Sequence, residues 1–267
     1  MTAHTGDFLN PAPQFYPGIH MSDKVDIVEV SPVKNNKPTV IIGFTGPGYI
    51  GNTALMYVVR IKGFTQRAQV KSHLIPPMML LIGGTPTPVF RIYGDDKDEL
   101  LFVMSEALIA PENAWAIGLK VMEWLKEKGV RKIVSIEGMP FGPVGDKRPI
   151  FGYSTPKTNL TKYGVQPTVE GGVSGINAVM LEESMNKGIS WVTLFVPTAQ
   201  AQTIDYGGAA AAIEVLNKMF KLGVDTAPLK KSDDIRRQMM ERAAKGGQKG
   251  FLDSLRRRLP DSGTPSV

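Results

Sequence analysis

The stretch Gly46-Pro-Gly-Tyr-Ile-Gly51 has the spacing G-x-G-x-x-G, and it falls where glycines of that spacing could do chemistry. The run before it, Thr39-Val-Ile-Ile-Gly-Phe44, is almost wholly apolar and reads as a strand buried on both faces. Asn52 to Lys62 reads as a helix stopped by Gly63. A glycine turn in that context lets a pyrophosphate approach a helix N-terminus, as in dinucleotide sites. Such a site also needs an acid about 20 residues further on to hold the ribose. No Asp or Glu occurs from Val30 to Gly94, and Pro47 removes one backbone donor from the loop. Arg67 or Lys71 could meet a 2′-phosphate instead, but both sit in an alternating, strand-like segment. A close-packed turn is the better reading. Gly46, Gly48 and Gly51 stay as a candidate cofactor turn, with no cofactor expected.

Two further places carry candidate chemistry. Glu137-Gly-Met-Pro140 ends a predicted strand, where α/β proteins place functional groups. A carboxylate there could act as a general base, but a lone one serves equally to hydrogen-bond a neighbouring loop. Gly172 and Ser174 lie in a glycine-rich turn that opens a helix, where a phosphate or carboxylate could rest. No G-x-S-x-G elbow occurs anywhere. His73 is the single histidine beyond the first twenty residues, in a strand-like segment without an acid beside it, and reads as structural. Asp205 precedes an alanine-rich helix and reads as its acidic start.

Composition narrows the classes. The 267 residues are 42% hydrophobic and 21% charged, as in ordinary globular proteins. No apolar run reaches the roughly 18 residues of a membrane span. There are no cysteines, which removes disulfides, thiolate metal sites and cysteine nucleophiles, and suits a cytoplasmic protein. With three histidines, two of them in the first twenty residues, no metal site is expected. The net charge of +6 is not spread evenly. Lys230 to Arg258 holds ten Lys/Arg against four Asp/Glu, while residues 1–229 are nearly neutral. A basic pI first suggests nucleic acid, but the body offers no basic stripe.

The elements that must position these groups alternate. Strands are expected at Val25–Val30, Phe64–Leu74, Met78–Ile82, Pro88–Tyr93, Glu99–Met104, Lys132–Glu137, Ile150–Ser154 and Ser190–Val196. Helices are expected from Pro111, with Trp115, Leu119, Met122 and Leu125 at helical spacing, and over Asn177–Lys187 and Tyr206–Leu222. Ser232 reads as the cap of a further helix, and Phe251–Leu259 as a last basic one. Such alternation implies an α/β protein with a mixed, mainly parallel sheet covered on both faces. Residues 1–22 read as a flexible extension, 23–229 as the α/β domain, and 230–267 as a basic helical segment with a disordered end. Its arginines and apolar residues, Arg236, Arg237, Met239, Arg242, Arg256, Arg257 and Arg258, are the partner-binding candidates.

Several segments together resemble the proteasome assembly chaperone family, in particular its archaeal branch. They are Val40–Gly51, Leu100–Glu106, Ile136–Pro140, Glu170–Asn177, Gly188–Pro197 and Tyr206–Leu222, and the resemblance spans about residues 25–245. It implies a three-layer α/β/α sandwich similar to purine nucleoside phosphorylases but without their catalytic groups. It also implies homo-oligomers and binding to proteasome α-subunits or the core particle. Some relatives end in a hydrophobic-Tyr-any tail. This chain ends Pro265-Ser-Val267, so docking of that kind is not expected. Three functions are compatible with these residues. The first is a non-catalytic protein-binding chaperone or scaffold. The second is a nucleotide- or nucleoside-binding enzyme, phosphorylase-like or ATP-dependent ligase-like. The third is nucleic-acid contact through Arg256–Arg258, which the neutral body argues against.

Overall fold

The computed structural model describes residues 25–35, 37–140, 145, 148–168, 170–236 and 238–239. The expected central strand is β2 (Thr39–Phe44), flanked by β7 (Leu100–Ser105) and β8 (Lys132–Pro140), with β11 (Ser190–Thr198) beyond β8. These four run parallel, joined through α1 (Ile50–Lys62), α2 (Ala114–Glu127) and α3 (Gly175–Asn186). On one side the sheet continues through β6 (Phe90–Gly94), β3 (Thr65–Lys71) and β1 (Asp26–Glu29). On the other it continues through β9 (Ile150–Thr155) and β10 (Val165–Pro167). The sheet is therefore a nine-stranded mixed one, and the α/β class holds.

The expected predominance of parallel pairing does not. The three outer pairs at the β1 edge and the β9–β11 pair are antiparallel, which equals the number of parallel pairs. The physical reason is connection length. β6 and β7 are joined by the short turn Asp95–Glu99, too short for a crossover, so they must form a hairpin. The segment expected as one strand from Pro88 is also split. β4 (Met79–Ile82) and β5 (Thr85–Pro88) form a separate two-stranded ribbon, turned by Gly83 and Gly84 at positive φ, and β6 starts afterwards.

Side-chain alternation along the strands makes two cores. Val40, Ile42 and Phe44 point to one face with Ile133 and Trp191, beneath Ile117, Val121 and Leu125 of α2 and Val179 and Met180 of α3. Ile41, Val134, Leu194 and Val196 point to the other, beneath α1 and Ala209, Ile213 and Leu216 of α4 (Tyr206–Phe220). The stripe expected on α2 is partly wrong. Met122 and Leu125 are buried, but Trp115 and Leu119 are exposed. The helix begins with a 3-10 turn at Pro111–Asn113, and its Ile117–Val121–Trp124 stripe faces inward.

Two more expectations need correction. Residues 227–236 are already helical, so Ser232 is inside the helix and its hydroxyl donates back to the Pro228 carbonyl. The start is marked instead by the Asp225 carboxylate, which accepts from the Ala227 N–H. The boundary placed between 229 and 230 thus falls within one helix, which buries Leu229 against the α1/α4 core. His73 lies past the end of β3, in a turn rather than a strand.

Gly43 and Gly51 bring α1 onto β2. A Cβ at Gly43 would lie 2.4 Å from the Gly51 carbonyl oxygen, and one at Gly51 would lie 2.8 Å from the Ile136 carbonyl oxygen. Backbone on both sides cannot step aside. Gly43→Ala is expected to cost at least about 2 kcal/mol of stability, at the upper part of the overpacking range, in urea unfolding. A loss under about 0.5 kcal/mol would show that the helix can lift without penalty.

Candidate functional site

The parallel strands β2, β8 and β11 end side by side, and the loops that follow them meet there. The turn after β2 is the G-x-G-x-x-G segment, and protein packs closely against it at Gly48 and Gly51. Pro47–Tyr49 forms a 3-10 turn, Gly48 adopts φ 69°, and the Gly48 carbonyl accepts from the Asp205 N–H at 2.9 Å. A Cβ on Gly138 would lie 1.8 Å from the Pro47 carbonyl oxygen, so β8 is pressed against the turn. Arg67, the alternative phosphate ligand, is buried and bonded to Asp98 at 2.7 Å. It stands on β3, three strands away from β2 across the sheet.

Glu137 sits differently. With Pro47, Gly172 and Ser174 it lines a cavity of about 500 Å³, which Met139, Phe151, Thr168, Glu170 and Phe195 help to enclose. Two of the separately expected places, Glu137 and the Gly172–Ser174 turn, are therefore brought to one cavity, while Gly46, Gly48 and Gly51 are not among its lining residues. Strand pairing sets its floor. Phe195 is the register partner of Glu137 on β8 and of Phe151 on β9, so the three form one row across the sheet. Parity puts that row on the α2/α3 face, since Ile133 and Trp191 point the same way.

The Glu137 carboxylate accepts from the Ser135 hydroxyl at 2.8 Å and from the Asn177 side chain. Burial nevertheless dominates and pushes its pKa up to about 7. Asn177 lies in the first turn of α3 and is 5% exposed, and its Oδ1 is buried without a hydrogen-bond partner. Ser174 stands at the N-cap of α3 but makes no side-chain capping bond. Among the described residues no Lys or Arg lines the cavity. A second cavity of about 390 Å³ adjoins it through Thr168, Glu170, Gly171 and Phe195, and extends along α3 to Met185. Among the described residues no group of three His, Cys, Asp or Glu could hold a metal ion.

Asn177, Phe151 and Phe195 were not among the expected site residues. Asn177 was legible only as part of a helix opening, and the phenylalanines looked like ordinary strand residues. Their meeting depends on β9 lying beside β11.

A buried charge cluster ties the C-terminal helix to this end of the sheet. Arg148 pairs with the fully buried Asp205, with Asp233 at 3.9 Å. Asp205 caps α4 by accepting from the Gly208 N–H at 2.8 Å, as expected of that helix start, and also accepts from Thr198 at 2.6 Å. Asp233 in turn holds Arg236 at 2.8 Å. Of the partner-binding candidates, Arg236 is thus engaged in the fold, and Met239 is exposed. Arg237, Arg242 and Arg256–Arg258 lie outside the residues whose side chains are described.

Residues 40–244 match the PAC2 family. The chain belongs to the PAC2 family. Its archaeal relatives include an uncharacterised protein of Methanocaldococcus jannaschii, 26% identical over 227 residues that cover 84% of this chain and 92% of that one. The crystal structure of Pyrococcus furiosus PbaA, an archaeal homolog of proteasome-assembly chaperone, superposes with a TM-score of 0.73 at 26% identity, covering 87% of this chain and 97% of PbaA. Pyrococcus furiosus PbaB, an archaeal proteasome activator, shares the fold with a TM-score of 0.71 at 17% identity, over 84% of this chain and all of PbaB's. The PAC2 match takes in every segment quoted for the resemblance, so the resemblance to archaeal proteasome-assembly chaperone homologues holds.

Proposed function

We propose that this PAC2 protein is a non-catalytic chaperone or scaffold that binds proteasome α-subunits or the core particle. The observation that carries the reading is its likeness to PbaA, at 26% identity over nearly all of that chain. The finer account of its fold, a three-layer α/β/α sandwich akin to purine nucleoside phosphorylases, belongs to the same reading. So does a cytoplasmic location; no helix among the described residues is long and apolar enough to cross a membrane.

Self-association is the second part of the proposal. Trp115 and Leu119 on α2 and Met185 on α3 are exposed, as are Met79 and Leu81 on the β4–β5 ribbon. Exposed large apolar side chains, where they form a patch, favour contact with another protein surface. The basic segment after Lys230 would add charge-guided encounter with an acidic partner face. Arg236 is already engaged within the fold, so that role falls to Arg237, Arg242 and Arg256–Arg258.

The test is capture from native lysate of the source cells at low salt, using the full chain. Proteasome α-subunits are expected to enrich, and truncation after Gly246 is expected to weaken the capture and its salt dependence. If no proteasome subunit enriches with the full chain, the reading fails. Native mass spectrometry of the purified chain checks self-association, with oligomers expected and a monomer at micromolar concentration counting against it.

A further inference from the structure

The groove of about 390 Å³ along α3 has walls of one chemistry and charges of one sign. Ala178, Leu181 and Met185 recur at helical spacing on α3 and form one side of it. Tyr153 on β9 and Phe195 on β11 line the other. Met185 and Tyr153 are exposed. Two acids, Glu170 and Glu182, also line the groove and are exposed. Among the described residues no Lys or Arg lines it, and neither acid has a cationic partner. Apolar walls beside unneutralised carboxylates suit an occupant that is apolar on one face and cationic on another.

The chain carries such a segment. Phe251, Leu252, Leu255 and Leu259 fall on one face at helical spacing, and Arg256, Arg257 and Arg258 stand among them against a single acid, Asp253. This segment lies beyond the described residues, which end at Met239. The place where they end points to the groove. The helix that starts at residue 227 begins beside α1, where the Asp225 carbonyl accepts from the Tyr57 hydroxyl at 3.0 Å. It then runs toward the strand ends. There Asp233 lies 3.9 Å from Arg148, which donates to the Pro197 carbonyl at 3.3 Å. Pro197 is two residues past Phe195 on β11. The helix therefore arrives at the end of the sheet where the groove adjoins the Glu137 cavity. Residues 240–250 span up to about 36 Å when extended. The 12-residue helix α3 is only about 18 Å long. The connection is long enough to lay the segment along it.

We propose that the groove along α3 is the docking site of residues 251–259 of the same chain. Phe251, Leu255 and Leu259 pack between α3 and β9, in the manner of an amphipathic helix laid in an apolar groove. The three arginines lie against Glu170 and Glu182. The tether supplies an effective concentration on the order of millimolar, so a contact too weak to hold a free peptide is enough. An acidic partner face would compete for the same arginines. The docking itself is a property of the purified chain and does not depend on which partner the protein binds.

The test uses the full chain with methyl-labelled methionine and a nitroxide on Ser262→Cys, three residues past Leu259. The chain has no other cysteine, so the label is unique. At about 50 mM salt the Met185 methyl signal is expected to lose more than about half its intensity, while Met56 on α1, across the sheet, keeps its own. At about 0.5 M salt, where screening is strong beyond roughly 4 Å, the Met185 signal should recover in large part. Leu255→Asp is expected to restore it by weakening docking about tenfold or more, since a buried leucine contact is lost. Glu170→Gln combined with Glu182→Gln should weaken docking severalfold. Both changes fall on the segment or on exposed positions, so the folded body is kept. An unchanged Met185 signal at low salt overturns the proposal. So does a loss of signal that neither variant relieves, because the segment then only passes by. Mixing spin-labelled chain with separately methyl-labelled chain at about 0.1 mM, well under the tethered concentration, should leave Met185 sharp. If the mixture broadens it as strongly as the single chain does, the occupant is the tail of a second copy and docking within the chain is wrong.

Discussion

Asp205→Ala is expected to lower the unfolding free energy by about 3–5 kcal/mol, the loss typical when one partner of a buried ion pair is removed. Asp205 is fully buried and serves three elements at once. It neutralises Arg148, caps α4 at the Gly208 N–H, and takes the Thr198 hydroxyl at the end of β11. Alanine deletes all three bonds and leaves the Arg148 guanidinium in a site where its side chain is 8% exposed. Asp233, 3.9 Å from Arg148, is too far for a good hydrogen bond and replaces only part of the attraction. Asp205→Asn separates the cap from the charge. It can keep the acceptor for the Gly208 cap but puts a donor where Oδ2 accepts from Thr198 and Arg148, so it should fall between wild type and alanine. Urea unfolding followed by circular dichroism measures both. A loss below about 1 kcal/mol for the alanine variant, no more than an ordinary cap, would mean that Asp233 takes over fully.

At pH 8, Glu137→Gln is expected to be more stable than wild type, by up to about 3 kcal/mol, and at pH 4.5 the two should coincide. The folded pKa is raised from 4.5 to about 7, so between those values the folded state holds a proton that the unfolded state has released. The stability this contributes is fully present below pH 4.5 and is lost as pH rises through 7. A tenfold difference in proton affinity between the folded and unfolded chain is worth about 1.4 kcal/mol, which sets the ceiling. Glutamine removes the buried charge and keeps an acceptor for Ser135. Glu106 and Asp95 are also raised by burial, and Glu29 is held down by bonds from Lys128 and Trp124. These groups are common to both proteins and cancel in the difference. Thermal unfolding from about pH 4.5 to about pH 8.5, spanning both ends of the titration, gives the comparison. Parallel curves for the two proteins would show that Glu137 titrates at an ordinary value. A gain in stability on removing Glu137 would mark it as a residue kept at a cost to the fold, which is characteristic of binding sites.

Much of the fold was legible because the signals were local. The apolar run Thr39–Phe44, the proline before α2, the glycine stops and the acid before α4 each act within a few residues. The sequence reads the glycine turn as a packing device from one missing acid and one proline; the 1.8 Å approach of the Pro47 carbonyl oxygen to a Cβ position on Gly138 is a close contact that no local pattern shows. Helix faces were less legible. Trp115 and Leu119 fit an apolar stripe as well as Ile117 and Val121 do, and only the placement of α2 on the sheet decided which pair went inside. The start of the C-terminal helix was misread because Ser232 resembles a cap. Its hydroxyl instead bonds back within a helix that already began at residue 227.

The candidate site shows the same division. Glu137, Gly172 and Ser174 were each visible in the sequence as the kind of residue that could act, because strand ends and helix openings carry local signatures. That they share one cavity was not visible, since the strand end and the helix opening lie far apart in the chain and meet only through α3 packing on the sheet. The family, the α/β class and the basic C-terminal segment were determined by the sequence alone, through ordered segments and composition that survive without coordinates. The balance of parallel and antiparallel strands, the Glu137–Phe195–Phe151 row and the buried Arg148–Asp205 pair were decided only by the tertiary structure. Register between distant strands and the burial of charge arise from long-range contacts, and no window of neighbouring residues encodes them.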